Sequence, residues 1–468
     1  MKFKKVLFIF LIPIVAFAQK NSTDFEEYMQ GQSSLYGFNG NVLIAKNGQV
    51  IYQKSFGYAD FITKKLLDKN TMFDIGSITK EFTAVGILSL IDKGKLSYAD
   101  TLGNFFPQLP YTNITIRQLL THTSGMPDGY ELVEQYFDHE KVADNNDLIN
   151  LLATYKPELY FTPGTDLQYS GTGFNLLASI IEKISGQSYS DFMNEHVFKP
   201  LGMSQTIVAN FPRNEKNLQD LSHGFMYEDS TKKYIRAESI YPDWATYFSG
   251  ITGEGMIIST TGDLLKWDRA LKDYTILSAA RQAEMVSVQA VKKTFPKVQF
   301  GYGIRVGKNE TGAYVFHNGW YPGFASMLIR YVDEDVTVIV LSNNLSHAEF
   351  IADGLAAIAL NKKIVMPYVH VEKNIKYLPL KYAGKYLLPL MRPPYMINFP
   401  VEIIVRNSKL FIHGPGISDI ELMPESETQF FYGDGSDQQI IFTKDNAGNI
   451  KKVFYIGYGL KKEIIKAE

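Results

Sequence analysis

The sequence predicts an α+β fold. An antiparallel sheet is built from both ends of one large domain, flanked by helices and carrying an inserted helical subdomain; a small all-β barrel follows. Three observations carry this expectation. Strand-like runs stand at both ends of residues 19–362, with helical periodicity between them. Short apolar runs separated by turn residues occupy 381–468. A chain of 468 residues is also too long for one ordinary domain.

Taken in order, residues 24–35 have the pattern of a short amphipathic helix. Residues 41–45 and 50–57 read as two strands joined at Asn47-Gly48, a strong hairpin signal. Residues 78–90 place apolar side chains at 78, 82, 85 and 88, a helical period, with Gly94 as the stop. Helices are also predicted over 172–184, stopped by Gly186, and over 261–271. Strands are predicted over 300–306, 313–317, 325–331 and 336–342. The last is continuously apolar and β-branched from Val336 to Leu341, as a central buried strand should be. A covering helix over 347–360 completes the large domain. Residues 363–380, which include Pro367, read as a linker. The barrel follows from its turn signals at Asn407-Ser408, Gly414-Pro-Gly416, Gly433-Asp-Gly435 and Asn446-Ala-Gly-Asn449.

Composition narrows the partners. Hydrophobic residues make up 45% and charged residues 21%, a globular balance with ample material for a core. A net charge of −2 calls for neither nucleic acid nor an anionic membrane surface. The chain has no cysteine, which excludes a thiol nucleophile and thiolate metal ligands. Its 8 histidines are scattered singly, without the paired spacing of a zinc site, so neither metal nor cofactor is expected. Residues 1–18 read as a secretory signal peptide, giving a secreted or periplasmic product that starts at Gln19. Lys2, Lys4 and Lys5 precede an apolar run over 6–17, and Ala16-Phe-Ala18 is a small-x-small cleavage site. That run holds 12 residues and Pro13, too short for a comfortable membrane span.

The chemistry-bearing motif is Ser77-Ile-Thr-Lys80 at the start of the first long helix. Positions i and i+3 share a helix face, so the amine can reach the hydroxyl. A serine hydroxyl needs a partner to take its proton before it attacks. Spacing alone favours the plain alternative, a surface lysine beside a helix-end serine. The chain repeats Ser-x-x-Lys at Ser230–Lys233, inside a polar run that reads as a solvated turn. Context separates the two, because an apolar helix follows Lys80.

That context resembles the class C β-lactamase and penicillin-binding-protein family of serine hydrolases. The segments that carry the resemblance are Phe73-Asp-Ile-Gly-Ser-Ile-Thr-Lys-Glu-Phe-Thr-Ala84, Leu119-Leu-Thr-His-Thr-Ser-Gly-Met-Pro127 and Tyr169-Ser-Gly-Thr-Gly-Phe-Asn-Leu-Leu177. Gly253-Glu-Gly-Met256 and His317-Asn-Gly-Trp-Tyr-Pro-Gly-Phe324 complete the set, in order. The resemblance implies that Ser77 is acylated, that Lys80 and Tyr169 manage its proton, and that His317 and Gly319 bind substrate. Backbone N–H groups of Ser77 and Trp320 would form the oxyanion hole. Without its flanking motif, Tyr169 would read as one of 29 tyrosines, a buried ring with a satisfied hydroxyl. His317 by position alone would be a strand residue facing solvent, and His122 is assigned to structure.

The chain departs from the family twice. Gly171 stands where the second motif usually has Asn, and His317 where β-lactamases often have Lys. Asn175 or Asn318 could supply the missing amide. The implied substrate is a small ester, amide or short peptide. A β-lactamase or D-alanyl-D-alanine carboxypeptidase is the alternative, and a non-catalytic binding or sensor protein the alternative from another class. An α/β-hydrolase is excluded by the lack of Gly-x-Ser-x-Gly. The tail from Tyr382-Ala-Gly-Lys-Tyr386 is similar to the lipocalin-like barrels appended to many family members.

Overall fold

A computed structural model describes residues 12–209, 220–294, 298–309, 312–392 and 395–466. The expected leader, 1–18, lies largely outside these residues, and from Ile12 the backbone is helical through Tyr36. Among the described residues no helix is long and apolar enough to cross a membrane.

Both chain ends of the large domain meet in one antiparallel sheet. Strand Gly40–Lys46 lies between Val336–Ser342 and Gln49–Phe56, paired in register from Gly40 opposite Ser342 to Lys46 opposite Val336. The hairpin residues Asn47 and Gly48 both take positive φ, +50° and +75°, as a two-residue turn matching strand twist requires. Outward from Val336–Ser342 the order is Phe324–Tyr331, Gly312–Tyr321, Arg305–Asn309, Gln299–Phe300 and Ala290–Val291.

Alternation along the central strands feeds two cores. Leu43, Ala45, Ile339 and Leu341 face the helical side, against Phe82, Leu88, Phe174 and Trp267. Val42, Ile44, Val338 and Val340 face the other side, against Phe25, Tyr28, Ile351 and Leu355 of the outer helices. The helical insert places Thr79–Asp92 against Gly171–Ser185, both largely buried. Buried Asp268 and Arg330, 2.8 Å apart, tie helix Thr261–Lys272 to the sheet.

One predicted strand is broken. Residues 300–306 split into Gln299–Phe300 and Arg305–Asn309. The intervening Gly303 has φ +66°, and a Cβ there would lie 2.6 Å from the carbonyl of Lys80. The chain bends because it runs directly under the nucleophile helix.

The tail closes as an eight-stranded barrel from Gly384–Arg392 to Leu460–Lys466. Its interior is filled by rings, with Tyr382 at 4.7 Å from Phe442 and 5.3 Å from Phe430. It is also docked on the large domain. Tyr458 stacks on Phe350 at 4.6 Å, and its carbonyl accepts from the Tyr28 hydroxyl at 3.1 Å. The preceding segment lacks regular structure up to Pro379, and residues 371–374 are exposed.

This packing can be tested in two ways. Trypsin should nick the native protein at Lys373 or Lys376, and the two pieces should still co-elute in size exclusion because Tyr458 is seated in the larger core. Separation of the pieces, or no cut, would contradict it. The second test concerns Glu81, fully buried, its carboxyl pushed up to about 8 mainly by burial. Among the described residues it accepts from the Trp267 indole alone, at 2.8 Å. Because the folded-state value is raised, the folded form binds the extra proton, and stability falls as pH rises from the ordinary carboxylate range through about 8. The loss amounts to about 1.4 kcal/mol for each pH unit crossed in that window. Glu81→Gln should therefore stabilise the protein above that window by roughly a few kcal/mol, and gain nothing near the ordinary carboxylate range. Thermal unfolding across pH checks this; a gain independent of pH would count against it.

Candidate active site

The nucleophile turn is built by short backbone contacts. Phe73 and Asp74 pair with Ser259 and Ile258. The Asp74 carboxylate accepts from the Gly76 N–H at 2.8 Å, closing a tight turn. Gly76 has φ +52°, and a Cβ on it would lie 2.6 Å from the backbone N and O of Trp320. The Ser326 hydroxyl donates to the carbonyl of Ile75 at 2.8 Å. Ser77, half-buried, is thus pinned beside Gly319 and Trp320 on strand Gly312–Tyr321.

Lys80 is fully buried one helical turn on. Its Nζ donates to Ser77 Oγ at 2.9 Å, to the carbonyl of Glu254 at 2.8 Å and to Glu254 Oε2 at 2.6 Å. Burial works to lower its pKa, but the Glu254 carboxylate, with Tyr169 adding to it, outweighs that and holds the ammonium above the ordinary lysine value.

Tyr169 comes from the loop before helix Gly171–Ser185, and its ring centroid is 4.8 Å from Lys80 Nζ. The local pair Ser77 and Lys80 is therefore brought together with Tyr169, far along the chain. The Arg305 guanidinium carbon lies 5.3 Å from the Tyr169 centroid and 4.7 Å from that of Phe300. Two cations thus lie within cation–π distance of one ring.

His317 does not face solvent: it is fully buried, its ring 6.2 Å from Tyr169. Burial, then Arg305 and Lys80, push its pKa well below the ordinary value, so it contributes a neutral ring where a lysine would bring charge. Its Nδ1 lies 2.6 Å from the Asn318 carbonyl. His122 is buried at 4.5 Å from Tyr169, and its Nδ1 accepts from the Ser170 N–H at 3.1 Å. It is a structural brace for the loop that carries Tyr169, as its sequence context implies. Ser230 and Lys233 are exposed on a hairpin, away from this cluster.

Both candidates for the missing amide are already engaged by the protein through Nδ2. Asn175 Nδ2 donates to the Thr252 carbonyl at 2.9 Å, and Asn318 Nδ2 to Glu349 at 3.2 Å. Sequence reasoning does not single out Glu254, although its setting between Gly253 and Gly255 in an apolar stretch is a signal for a placed carboxylate. It also misses the aromatic wall. Tyr130 bonds Glu254 Oε1 at 3.0 Å and stacks on Trp244 at 5.2 Å, which in turn lies 6.1 Å from the half-exposed Trp320. Tyr241 stands edge-on to Trp320 at 6.0 Å.

Comparison with known proteins places the chain in a family and a fold. The sequence profile of the family described as Beta-lactamase matches residues 25–361. Penicillin-binding protein 4* of Bacillus subtilis (strain 168) is 32% identical over 438 residues, covering 87% of this chain and 95% of that one. Among solved structures, the octameric penicillin-binding protein homologue from Pyrococcus abyssi superposes with a TM-score of 0.66 at 24% identity, covering 95% of this chain and 99% of that one. The D-amino acid amidase from Ochrobactrum anthropi SV3 gives a TM-score of 0.58 at 23% identity, over 74% of this chain and 98% of that one. These two likenesses speak to the fold, barrel included in the first. With the profile spanning the whole large domain and a relative at 32% identity along most of the chain, the protein belongs to the Beta-lactamase family.

Proposed function

We propose that the protein is an exported serine hydrolase that works through an acyl-enzyme on Ser77, on small esters and D-amino-acid amides. The observation that carries this is the 2.9 Å contact between Lys80 Nζ and Ser77 Oγ, made by a lysine with no exposed surface. A surface lysine beside a serine is common; a wholly buried one held on a half-exposed hydroxyl is a device for proton control.

The steps are those of acyl transfer. Ser77 Oγ bonds the substrate carbonyl carbon, and its proton passes through the Lys80–Tyr169 group to the leaving oxygen or nitrogen, whose bond to carbon breaks. Water then attacks the ester on Ser77, gives its proton to the same group, and Ser77 recovers a proton as it leaves. Backbone N–H groups of Ser77 and Trp320 receive the developing oxyanion, and Gly319 lets substrate main chain approach the strand. His317 closes the site behind Tyr169.

Substrate choice follows from charge and shape. Position 317 offers a neutral, buried ring in place of a cation, and position 171 offers no amide. Both changes weaken the hold on a carboxylated amide while leaving the acylation group in place. The wall of Tyr130, Trp244, Tyr241 and Trp320 suits an apolar or aromatic group beside the reacting carbonyl. The name of the relative at 32% identity favours a second reading, covalent capture of penicillin at the same serine.

Ser77→Ala should remove both turnover and labelling by a fluorophosphonate. Lys80→Ala should cost about 10²–10⁴-fold in rate, and Ser230→Ala should change nothing. On kcat/KM, a nitrophenyl ester should rank above a D-alanyl anilide, and both above a chromogenic cephalosporin. A cephalosporin ranked first by about tenfold, roughly 1.4 kcal/mol of transition-state binding, would favour the second reading. Full activity in Ser77→Ala would refute the nucleophile, and a correctly folded wild type inert to every probe would favour a binding role.

A further inference from the structure

We propose that Glu254 is a positioning residue for this reaction: its carboxylate fills the space a side chain at position 171 would take, and locks Lys80 as a three-way donor on Ser77. The inference rests on Ser77 being the nucleophile and adds a residue to that site.

The space is shared. A Cβ built on Gly171 would meet Glu254 Cγ at 3.4 Å, Oε2 at 3.5 Å and Cδ at 3.6 Å. A methyl group fits at those distances, but anything longer runs into the carboxylate. The two positions are therefore alternatives for one volume next to Lys80.

Glu254 is held from several sides. Gly253 has φ +100°, and a Cβ on it would lie 2.5 Å from Ala178 Cβ and 2.7 Å from the Phe174 carbonyl. The Gly253 carbonyl accepts from Thr83 at 2.6 Å, which fixes the backbone of the next residue against the nucleophile helix. Oε1 takes the Tyr130 hydroxyl at 3.0 Å and Oε2 takes Lys80 at 2.6 Å. Tyr130 is itself anchored, since the Gly129 N–H donates to Thr172 Oγ1 at 2.8 Å, one residue past Gly171.

Donor counting fixes what Lys80 does. An ammonium has three N–H donors and no lone pair. The Glu254 carbonyl and carboxylate can only accept, and they take two of them. The third goes to Ser77 Oγ, which therefore accepts from Lys80 and turns its own proton elsewhere. Lys80 so bonded has no lone pair with which to take the serine proton; it stabilises the alkoxide once that proton has left. The other titratable groups facing this centre are His122, His317 and Arg305 from the helical and strand sides, and Asp128 on the side of Glu254. Both histidines are kept neutral by burial, and Arg305 keeps its charge throughout.

The test is the pH profile of kcat/KM on an activated ester, with fluorophosphonate labelling of Ser77 in parallel. With Glu254 in place, Lys80 keeps its charge, and wild type should hold its activity to the top of the accessible pH range. Glu254→Gln preserves shape but removes the anion that opposes burial, so Lys80 should lose its proton earlier. An alkaline limb should then appear at least about one pH unit below the ordinary lysine range, near pH 9 or lower, with activity one pH unit above its midpoint down about tenfold. Glu254→Asp keeps the charge and should restore the wild-type limb at reduced kcat. Gly171→Asn reaches the same end from the other side by displacing the carboxylate, and stands in if Glu254→Gln melts early. A merely structural Glu254 would lower the melting temperature and leave the limb where it was. That outcome, or a gain in activity at neutral pH in Glu254→Gln from a freed amine base, overturns the proposal while Ser77 labelling stands. Loss of Ser77 labelling in the wild type overturns both.

Discussion

Lys80 is buried without exposed surface, yet Glu254 holds its ammonium above the ordinary lysine value, and the nucleophile site is built around that one group. Taking an ammonium out of water costs several kcal/mol even after relaxation, and the cost is met only when each donor has a well-placed acceptor. Here one acceptor is local, Ser77 one turn away, and the others, the main chain and side chain of Glu254, lie 174 residues on. A folded sheet and a helical insert are needed to bring them together.

Glycines do much of that work where chain segments approach one another. Gly76 lies against Trp320, Gly303 runs under the Lys80 carbonyl, and Gly253 is pressed between Phe174 and Ala178. All three have positive φ, so two reasons coincide for the absence of a side chain. Around them the polar groups are neutral or paired. His122 and His317 stay uncharged through burial, Tyr130 binds the carboxylate, and Arg305 sits over Tyr169. The result is a largely buried cluster with Ser77 half-buried at its edge.

Much of this is legible in the residue pattern. Ser77 and Lys80 are a local pair, set by helical spacing, and the two chain ends of the sheet are marked by alternation and by Asn47-Gly48. The barrel is marked by its turns. What the pattern does not carry is non-local. Glu254 shares a site with Lys80 only because Gly171 leaves room for it, and neither residue alone signals the other. The break at Gly303 arises from contact with a helix more than two hundred positions earlier, so a local strand propensity runs through it. His317, expected either to bind substrate or to face water, is buried by Tyr169 and Arg305, neighbours that strand alternation does not name. The docking of Tyr458 into the large domain's core is likewise invisible in a segment that reads as an independent barrel.

The whole arrangement turns on Lys80 resting as a charged donor fixed by Glu254, with Ser77 as its acceptor. Nitrogen NMR of the lysine side chains reads this directly, with the Lys80 signal assigned by its loss in Lys80→Ala. A charged, fully bonded Lys80 should give a slowly exchanging nitrogen bearing three protons, unchanged from neutral pH through the ordinary lysine range. A Lys80 signal of a free amine at neutral pH would contradict it.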